Sequence, residues 1–392
     1  MAANIIVAGG GIGGLATALA LSGKGHRIDL LEQAPVFAEI GAGVQLGPNA
    51  TRRLLALGLG KPLAAIAAKP DALTVRSAAS NAVLARMKLG SAAEHRYRAP
   101  YYCVHRADLH ALLLKAVRAR RNVALSTGAR IVEVRRDDDF VCAASADARA
   151  WEGDALVGAD GLWSMARQQV IEHDAPPRAT GHMAWRAIVA QQALPAALRC
   201  NGVEVWLGPR LHAVAYPVRA GRLLNVVVIA ESTSTGDVRD WDQAGSLAAL
   251  QGATGHTGAG LQKLLEAMPA WRTWALSDRP PLKSADQMAS GRIALLGDAA
   301  HPMLPYLAQG AGMAIEDAVA LADALGGADA AGVPQAFARY AESRWQRNAR
   351  VQARAHRNGA IFHATGPVRL GRDMAMRVLG ALLLDQAWLY AG

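Results

Sequence analysis

The 392-residue chain has few cysteines, and they are poorly placed for cross-linking. Cys103, Cys142 and Cys200 lie far apart and form no C-x-x-C pair. This spacing argues against a disulfide framework and against a zinc site, so no metal centre is predicted. Free cysteines also fit a reducing compartment such as the cytoplasm.

The chain also lacks a segment with the features of a leader or a membrane span. Residues 4–21 are apolar, but no Lys or Arg precedes Lys24 and glycines interrupt the run. The basic flank of a signal peptide is therefore missing. Residues 381–391 form a second apolar run that is shorter than the ~20 residues needed to span a bilayer. We predict a soluble, cytoplasmic protein without a membrane partner.

Charged residues make up only 19% of the chain and hydrophobic residues 52%, which is typical of a globular protein. The length favours two lobes. The net charge of +10 favours solubility and attracts anionic ligands. Basic residues are spread out without a nucleic-acid-binding motif, so no nucleic acid is expected as a partner. The stripe Arg347, Arg350, Arg354 and Arg357 predicts a solvated helix face. The oligomeric state is left open.

The order of predicted elements indicates an α/β fold. Residues 4–8, 12–22 and 27–31 predict a buried strand, a helix and a second strand, which is the opening of a Rossmann-like domain. Four β-type runs between residues 181 and 231 predict an antiparallel sheet in a separate lobe. Helices are expected near the positions that follow: 243–251, 259–267, 311–326 and 335–358.

The first of three glycine-containing signatures joins the first strand to the first helix. Gly9, Gly11 and Gly14 match G-x-G-x-x-G, with Gly13 inside the motif. Such glycines allow a tight turn, close approach to a pyrophosphate, and close packing of helix and strand. Glu32 ends the second strand, where a carboxylate can bind a ribose hydroxyl. The sequence therefore predicts a dinucleotide site.

Two further signatures follow predicted strands much later in the chain. The segment 156–164 contains Gly158-Ala159-Asp160-Gly161, in which Asp160 is either a cofactor ligand or the cap of a following helix. The segment 292–302 contains Gly297-Asp298, which can direct a carboxylate at a polyol. Residues 305–318, beginning Pro305-Tyr306 and containing Gly310-Ala311-Gly312, follow it.

Together these segments resemble the single-component, class A FAD-dependent aromatic monooxygenases of the para-hydroxybenzoate hydroxylase fold. Within this family the chain is most similar to the salicylate hydroxylase and 3-hydroxybenzoate 6-hydroxylase group, over essentially its whole length. The resemblance implies bound FAD, NADH or NADPH and dioxygen as co-substrates, and hydroxylation of a small hydroxylated, carboxylated aromatic ring through a flavin hydroperoxide. It also implies the cofactor-binding residues Gly9, Gly11, Gly13, Gly14, Glu32, Gln33, Gly43, Val44, Arg106, Asp160, Asp298, Gly310, Ala311 and Gly312.

The resemblance further implies where the ring is activated. Pro305 is expected close to the reactive edge of the flavin. His212, Val214 and Tyr216 alternate along a predicted strand, so their side chains share one face. A free phenol has a pKa of about 10, so a base is needed near pH 7. His212 is the predicted base and Tyr216 its neighbour at the substrate.

The predicted fold class is therefore α/β, with a Rossmann-like FAD-binding domain, an antiparallel-sheet substrate lobe and C-terminal helices. The FAD-binding domain is predicted at 1–71, 100–178 and 276–326, the substrate-binding domain at 72–99 and 179–275, and a helical segment at 327–392. Three alternatives stay open: another FAD oxidoreductase of the same fold, an NAD-dependent dehydrogenase, and a non-catalytic flavin-binding module. A hydroxynicotinate substrate is also open, as is the choice between NADH and NADPH.

Overall fold

The computed structural model describes residues 2–38, 41–232 and 237–391. Its strands are β1 (Asn4–Ala8), β2 (Arg27–Leu31), β3 (Gly43–Leu46), β4 (Ala72–Ser77), β5 (Val83–Lys88), β6 (Tyr102–His105), β7 (Val123–Ser126), β8 (Ile131–Arg136), β9 (Val141–Ser145), β10 (Ala150–Gly153), β11 (Ala155–Gly158), β12 (Arg178–Ala190), β13 (Val203–Gly208), β14 (Leu211–Val218), β15 (Leu223–Glu231), β16 (Gln243–Gly245), β17 (Trp271–Asp278), β18 (Ala289–Ser290) and β19 (Ile293–Leu295). Its helices are α1 (Ile12–Gly23), α2 (Pro48–Ala56), α3 (Gly60–Ile66), α4 (Gly90–Tyr97), α5 (Arg106–Arg118), α6 (Leu247–Thr254), α7 (Ala259–Glu266), α8 (Gly310–Leu325), α9 (Val333–Phe362), α10 (Gly366–Leu379), α11 (Ala381–Leu384) and α12 (Ala387–Tyr390).

The first sheet contains the N-terminal strand and is parallel except at one edge. Its order is β18-β19-β11-β1-β2-β7, and only β18 runs antiparallel to its neighbour among the described strands. Ile5, Ile6 and Val7 of β1 are fully buried. Continuous burial is typical of a parallel strand covered on both faces. Helix α1 packs against α5 and α8. The predicted Rossmann-like opening is confirmed.

The second sheet has the order β16-β17-β12-β15-β14-β13-β4-β5 and is antiparallel except between β13 and β4. The four β-type runs predicted between residues 181 and 231 all belong to it, as do β4 and β5. On one face, Leu250 of α6 and Leu261 of α7 pack with Ala213 and Val226 of the sheet. The opposite face packs against Leu304, Tyr306 and Phe362. The α/β fold class is confirmed, whereas the exact domain bounds stay a prediction.

The predicted helix near 243–251 is wrong at its beginning. Gln243–Gly245 forms β16, which pairs antiparallel with β17 at the edge of the second sheet. Helix α6 begins after Ser246, whose side chain accepts a hydrogen bond from the Ala249 N–H at 3.1 Å. A serine cap of this kind fixes where a helix begins.

The prediction of a fully solvated arginine stripe is wrong for Arg347. Its guanidinium donates to the buried carboxylate of Glu316 on α8, with Nε 2.7 Å from Oε2. Arg344, one turn earlier on α9, binds the same carboxylate at 2.8 Å and also binds Asp317 at 2.8 Å. Although burial by itself raises the pKa of the Asp317 carboxyl, His301 and Arg344 hold that pKa below its ordinary value. Arg350 and Arg357 are exposed, as predicted, whereas Arg354 is only partly exposed.

In the described part of the chain, no helix combines the length and apolar character needed to cross a bilayer. The apolar run at 381–391 is divided between α11 and α12. The cytoplasmic location stays a prediction.

Candidate functional site

The three signatures follow three neighbouring parallel strands. Gly9 comes directly after β1, Gly158 ends β11, and Gly297 comes shortly after β19. Strand β11 lies between the other two, with Val157 paired to Val7 on one side and to Ala294 on the other. Because carboxyl ends of parallel strands meet at one edge of a sheet, segments nearly 300 residues apart in sequence converge there.

A direct contact joins the second and third signatures. The guanidinium of Arg167 donates to the carbonyl oxygens of Ala299 and Ala300, at 2.9 and 2.8 Å. The buried Arg167 also pairs with Asp174. The segments that follow β11 and β19 are therefore held together independently of any ligand.

At this edge lies a cleft of about 1210 Å³. Seven of the predicted cofactor residues line it: Gly9, Gly11, Glu32, Gln33, Arg106, Asp160 and Asp298.

The glycine turn leaves no room for side chains. Gly9 has a φ of +109°, and a Cβ there would lie 2.3 Å from the Ala159 carbonyl oxygen. A Cβ at Gly14 would lie 1.8 Å from the Gly9 carbonyl oxygen. Gly11 caps α1 without a side-chain hydrogen bond, so the first N–H groups of α1 remain available to an anion. This arrangement fits a pyrophosphate.

We expect Gly14→Ala to lower the free energy of unfolding by about 1–3 kcal/mol, because the new methyl group overlaps a carbonyl that cannot withdraw. It should also weaken FAD binding, since the turn before α1 must shift. Urea unfolding and FAD titration measure the two effects. The matched control is Gly23→Ala at the end of the same helix, where a Cβ meets nothing within 4 Å. If the two variants had equal free energies of unfolding and equal affinities for FAD, the requirement for glycine in the turn would be contradicted.

Glu32 lines the cleft, and both of its carboxylate oxygens accept hydrogen bonds from the backbone. Oε2 accepts from the Gly10 N–H and Oε1 from the Ala34 N–H, each at 2.8 Å. A carboxylate has about four acceptor positions, so two remain for ribose hydroxyls. These contacts fit the predicted role of Glu32.

Asp160 accepts hydrogen bonds from backbone N–H groups, as expected for the helix-capping role that was the alternative to cofactor binding. Its carboxylate accepts from the Met165 and Ala166 N–H groups at 2.7 and 3.1 Å, and from the Ser164 hydroxyl at 2.5 Å. Asp160 also lines the cleft, so its contact with the cofactor stays a prediction.

The beginning of α8 offers a second uncapped helix end. Gln309 occupies the N-cap position of α8, but its side chain makes no hydrogen bond to the helix. Its Oε1 instead accepts a hydrogen bond from the Asn49 side chain at 3.0 Å. Gly310, Ala311 and Gly312 form the first turn. A Cβ at Gly310 would lie 3.9 Å from Asp298 Oδ1, so the third signature adjoins this helix end. A helix N-terminus stabilises negative charge, which suits the pyrimidine side of a reduced flavin.

Gly43 and Val44 lie on β3, between the first sheet and the face of the second. The Gly43 N–H donates to Asn225 Oδ1 of β15 at 2.8 Å, and Asn225 is fully buried. A Cβ at Gly43 would lie 2.4 Å from Tyr216 Cε2, so only glycine fits there. Sequence reasoning missed Asn225, because a lone Asn in an apolar strand carries no motif.

His212 and Tyr216 both lie on β14 and both are buried. His212 Nδ1 is 2.9 Å from Nε2 of His363, the residue that follows α9. Burial, with His363 and His182 nearby, holds the pKa of His212 well below its ordinary value, so this imidazole is neutral near pH 7. Burial also raises the pKa of the Tyr216 phenol. His363 is a second residue that sequence reasoning missed.

Pro305 is exposed, and the next residue, Tyr306, contacts His212 with ring centroids 5.2 Å apart. The structure therefore brings the segment after the third signature to the same face of the second sheet as His212. All predicted site residues lie in the described part of the chain. Their individual roles remain proposals.

Comparison with known proteins agrees with this geometry. A family model described as "FAD binding domain" matches residues 2–355. A 3-hydroxybenzoate 6-hydroxylase of Polaromonas naphthalenivorans is 39% identical over 370 residues, which is 94% of this chain and 90% of that relative. A 3-amino-4-hydroxybenzoate 2-monooxygenase of Streptomyces platensis is 39% identical and is aligned over 99% of this chain and 95% of its own length. HpxO of Klebsiella pneumoniae, solved with FAD and uric acid, superimposes with a TM-score of 0.86 at 25% identity, covering 99% of this chain and 96% of that one.

The cleft, the Glu32 carboxylate that lines it and two helix N-termini without a side-chain cap suit FAD, for which NAD(P)H and dioxygen are the co-substrates in such enzymes. The match spans most of the chain, and both curated relatives are monooxygenases. The chain therefore belongs to the FAD-binding-domain family and is an FAD-dependent aromatic monooxygenase.

Proposed function

We propose that the enzyme hydroxylates a benzoate that already carries a phenolic hydroxyl group, at the buried face of β14. The observation that carries this proposal is the buried imidazole of His212, on the same strand as Tyr216 and beside the segment that contains Pro305. The names of the two curated relatives, which act on a hydroxybenzoate and an aminohydroxybenzoate, support the same substrate class.

Bound FAD would supply the activation of dioxygen and the transfer of its oxygen atom. In this proposal Gly9, Gly11 and the beginning of α1 hold the pyrophosphate, while Glu32 binds the ribose hydroxyls. Gly13, Gly14, Gln33, Arg106 and Asp160 complete that part of the site. Asp298 binds the ribityl chain.

The flavin ring would lie between β3 and α8. Gly43 and Val44 would approach it from β3, where the Asn225 side chain fixes the backbone. Gly310, Ala311 and Gly312 would place the N-terminus of α8 against the pyrimidine side. Pro305 would lie near the reactive edge and help to exclude water.

His212 would take the proton from the phenol of the substrate, which makes the ring electron-rich before oxygen transfer. For this step the Nδ1–H of His212 donates to His363 Nε2, so Nε2 of His212 is the acceptor. Tyr216, whose hydroxyl stays protonated, would donate a hydrogen bond to the same substrate oxygen. Its raised pKa supports this role.

The test is a screen for substrate-stimulated oxidation of NADH and NADPH by the purified yellow protein. The panel contains 3-hydroxybenzoate, salicylate, 3-amino-4-hydroxybenzoate and 6-hydroxynicotinate, with benzoate as the matched compound that lacks a phenol. We expect a hydroxybenzoate to stimulate oxidation and, under ¹⁸O₂, to yield a product containing one ¹⁸O atom.

Two outcomes would contradict the proposal. If benzoate stimulates oxidation as well as the phenols do, activation of a phenol is not part of the reaction. If only the pyridine compound yields a labelled product, the enzyme acts on the hydroxynicotinate class that the sequence left open.

A further inference from the structure

Three potential metal ligands lie together next to His212, and none of them is among the residues that line the FAD cleft. His182 of β12 and Glu231 of β15 are directly paired across the antiparallel ladder. His363 follows the end of α9. One ligand atom from each of these three residues lies within 4.8 Å of the other two. Glu231 is exposed, His182 is partly exposed, and His363 is buried with only 7% of its surface exposed.

Both imidazoles have one ring nitrogen held by the protein. His182 Nδ1 lies 3.1 Å from the Thr180 carbonyl oxygen, so it donates there and leaves Nε2 as an acceptor. His363 Nε2 lies 2.9 Å from His212 Nδ1. The remaining nitrogen of His363, Nδ1, is buried and has no hydrogen-bond partner among the described residues. Metal-binding histidines are typically held in this way, with one nitrogen fixed and the other left for the ion.

The charges around the three residues permit a cation. Glu231 is the one carboxylate of the set, and Arg210 approaches it at 3.5 Å through a largely exposed side chain. Burial lowers the pKa of His363, and His182 and Arg372 lower it further, but the charge of Arg372 is paired with Asp373 at 2.7 Å. The weak surface pair with Arg210 can be exchanged for a metal bond at little cost.

We propose that His182, Glu231 and His363 form a Zn²⁺ site that inhibits hydroxylation. Two imidazoles and one carboxylate, with water as a fourth ligand, are an ordinary set for Zn²⁺ with bonds of about 2.0–2.2 Å. Such bonds place tetrahedral ligand atoms about 3.4 Å apart. The ligand atoms of His182, Glu231 and His363 already lie within 4.8 Å of one another, so at most a small adjustment of the side chains reaches this spacing.

The inhibitory part rests on the proposed role of His212 as the base. Zn²⁺ on His363 Nδ1 uses the lone pair of that atom, so the ring proton of His363 must be on Nε2. That proton then donates to His212 Nδ1, and the remaining proton of His212 must be on its own Nε2. His212 in this tautomer has no lone pair with which to accept the phenol proton. Metal binding and base function therefore exclude each other.

Binding is tested first, and without turnover. FAD-loaded protein is titrated with ZnCl₂ by calorimetry, and bound zinc is counted after dialysis. We expect one Zn²⁺ per chain and at least about tenfold weaker binding in Glu231→Gln and in His182→Gln. The matched control is His256→Gln, which removes an exposed histidine elsewhere. The proposed site would be overturned if Glu231→Gln and His182→Gln bind Zn²⁺ with wild-type affinity. It would also be overturned if His256→Gln weakens Zn²⁺ binding as much as they do.

Inhibition is tested separately. Zn²⁺ should slow product formation by the wild-type enzyme at least about tenfold while leaving FAD reduction by NAD(P)H unchanged, since only the tautomer of His212 is affected. Each variant is compared with its own metal-free rate, and Glu231→Gln should lose the inhibition. Binding that depends on the three ligands without any change in hydroxylation would overturn the inhibitory role. A failed substrate screen, in contrast, would leave the binding result intact.

Discussion

Replacing His212 by Gln should slow hydroxylation about 10²–10⁴-fold, which is the usual contribution of a general base. Glutamine keeps a hydrogen-bonding side chain of similar size but cannot take up the phenol proton near pH 7. FAD reduction should continue, so NAD(P)H is still consumed and oxygen is released as hydrogen peroxide instead of reaching the ring. Stopped-flow absorbance of the flavin, together with product and peroxide assays, separates the two steps.

The buried position of His212 makes a control for folding necessary. His363→Gln alters the same hydrogen bond from the other side and keeps His212 itself. We expect it to slow hydroxylation less than His212→Gln does, because the base is still present. Hydroxylation by His212→Gln at the wild-type rate, with FAD bound normally, would remove His212 from the mechanism.

Replacing Arg344 by Met should lower the free energy of unfolding by about 3–5 kcal/mol. Arg344 is buried between α8 and α9 and holds the carboxylates of Glu316 and Asp317. Methionine fills much of the same space but leaves the Asp317 charge with fewer partners in a water-free environment. Urea unfolding, followed by circular dichroism, measures this loss.

The control is Arg357→Met on the same helix, where the arginine is exposed. Surface changes of this kind usually alter the free energy of unfolding by no more than about 0.5 kcal/mol. Because Glu316 also binds Asn49, which contacts the Gln309 cap of α8, Arg344→Met should further weaken FAD binding. A free energy of unfolding equal to that of Arg357→Met would show that the buried pairs contribute little.

The glycine turn and the meeting of the three signatures at one cleft could be predicted from the sequence because their signals are local. A strand, a glycine turn and a helix lie within about 20 residues, and Gly9 and Gly14 are required by clashes with atoms of the same motif or its neighbour strand. The acidic residue directly after β2, Glu32, is predicted by the same strand–turn–helix–strand unit. Each later signature also follows a predicted strand.

The rest depends on contacts between distant segments. His363 meets His212 across 151 residues, and Asn225 meets Gly43 across 182. Neither His363 nor Asn225 belongs to a motif. Arg347 was assigned to solvent because helical periodicity shows which side chains share a face but not that Glu316 lies opposite. Residues 243–245 have only a weak intrinsic preference for a strand. They form β16 because they pair with the edge of β17.

The first sheet is completed only late in synthesis of the chain. Strand β1 pairs with β11 at residues 155–158, and β19 at residues 293–295 then extends the sheet. A ribosome needs about 15–60 s to make the intervening 290 residues at ~5–20 residues per second. Throughout that interval the first sheet lacks β19, and α1 lacks α8, one of the helices against which it packs. Overproduction of this enzyme should therefore respond to slower translation and to chaperone supply, and truncation before residue 295 should yield an insoluble polypeptide rather than a smaller folded lobe.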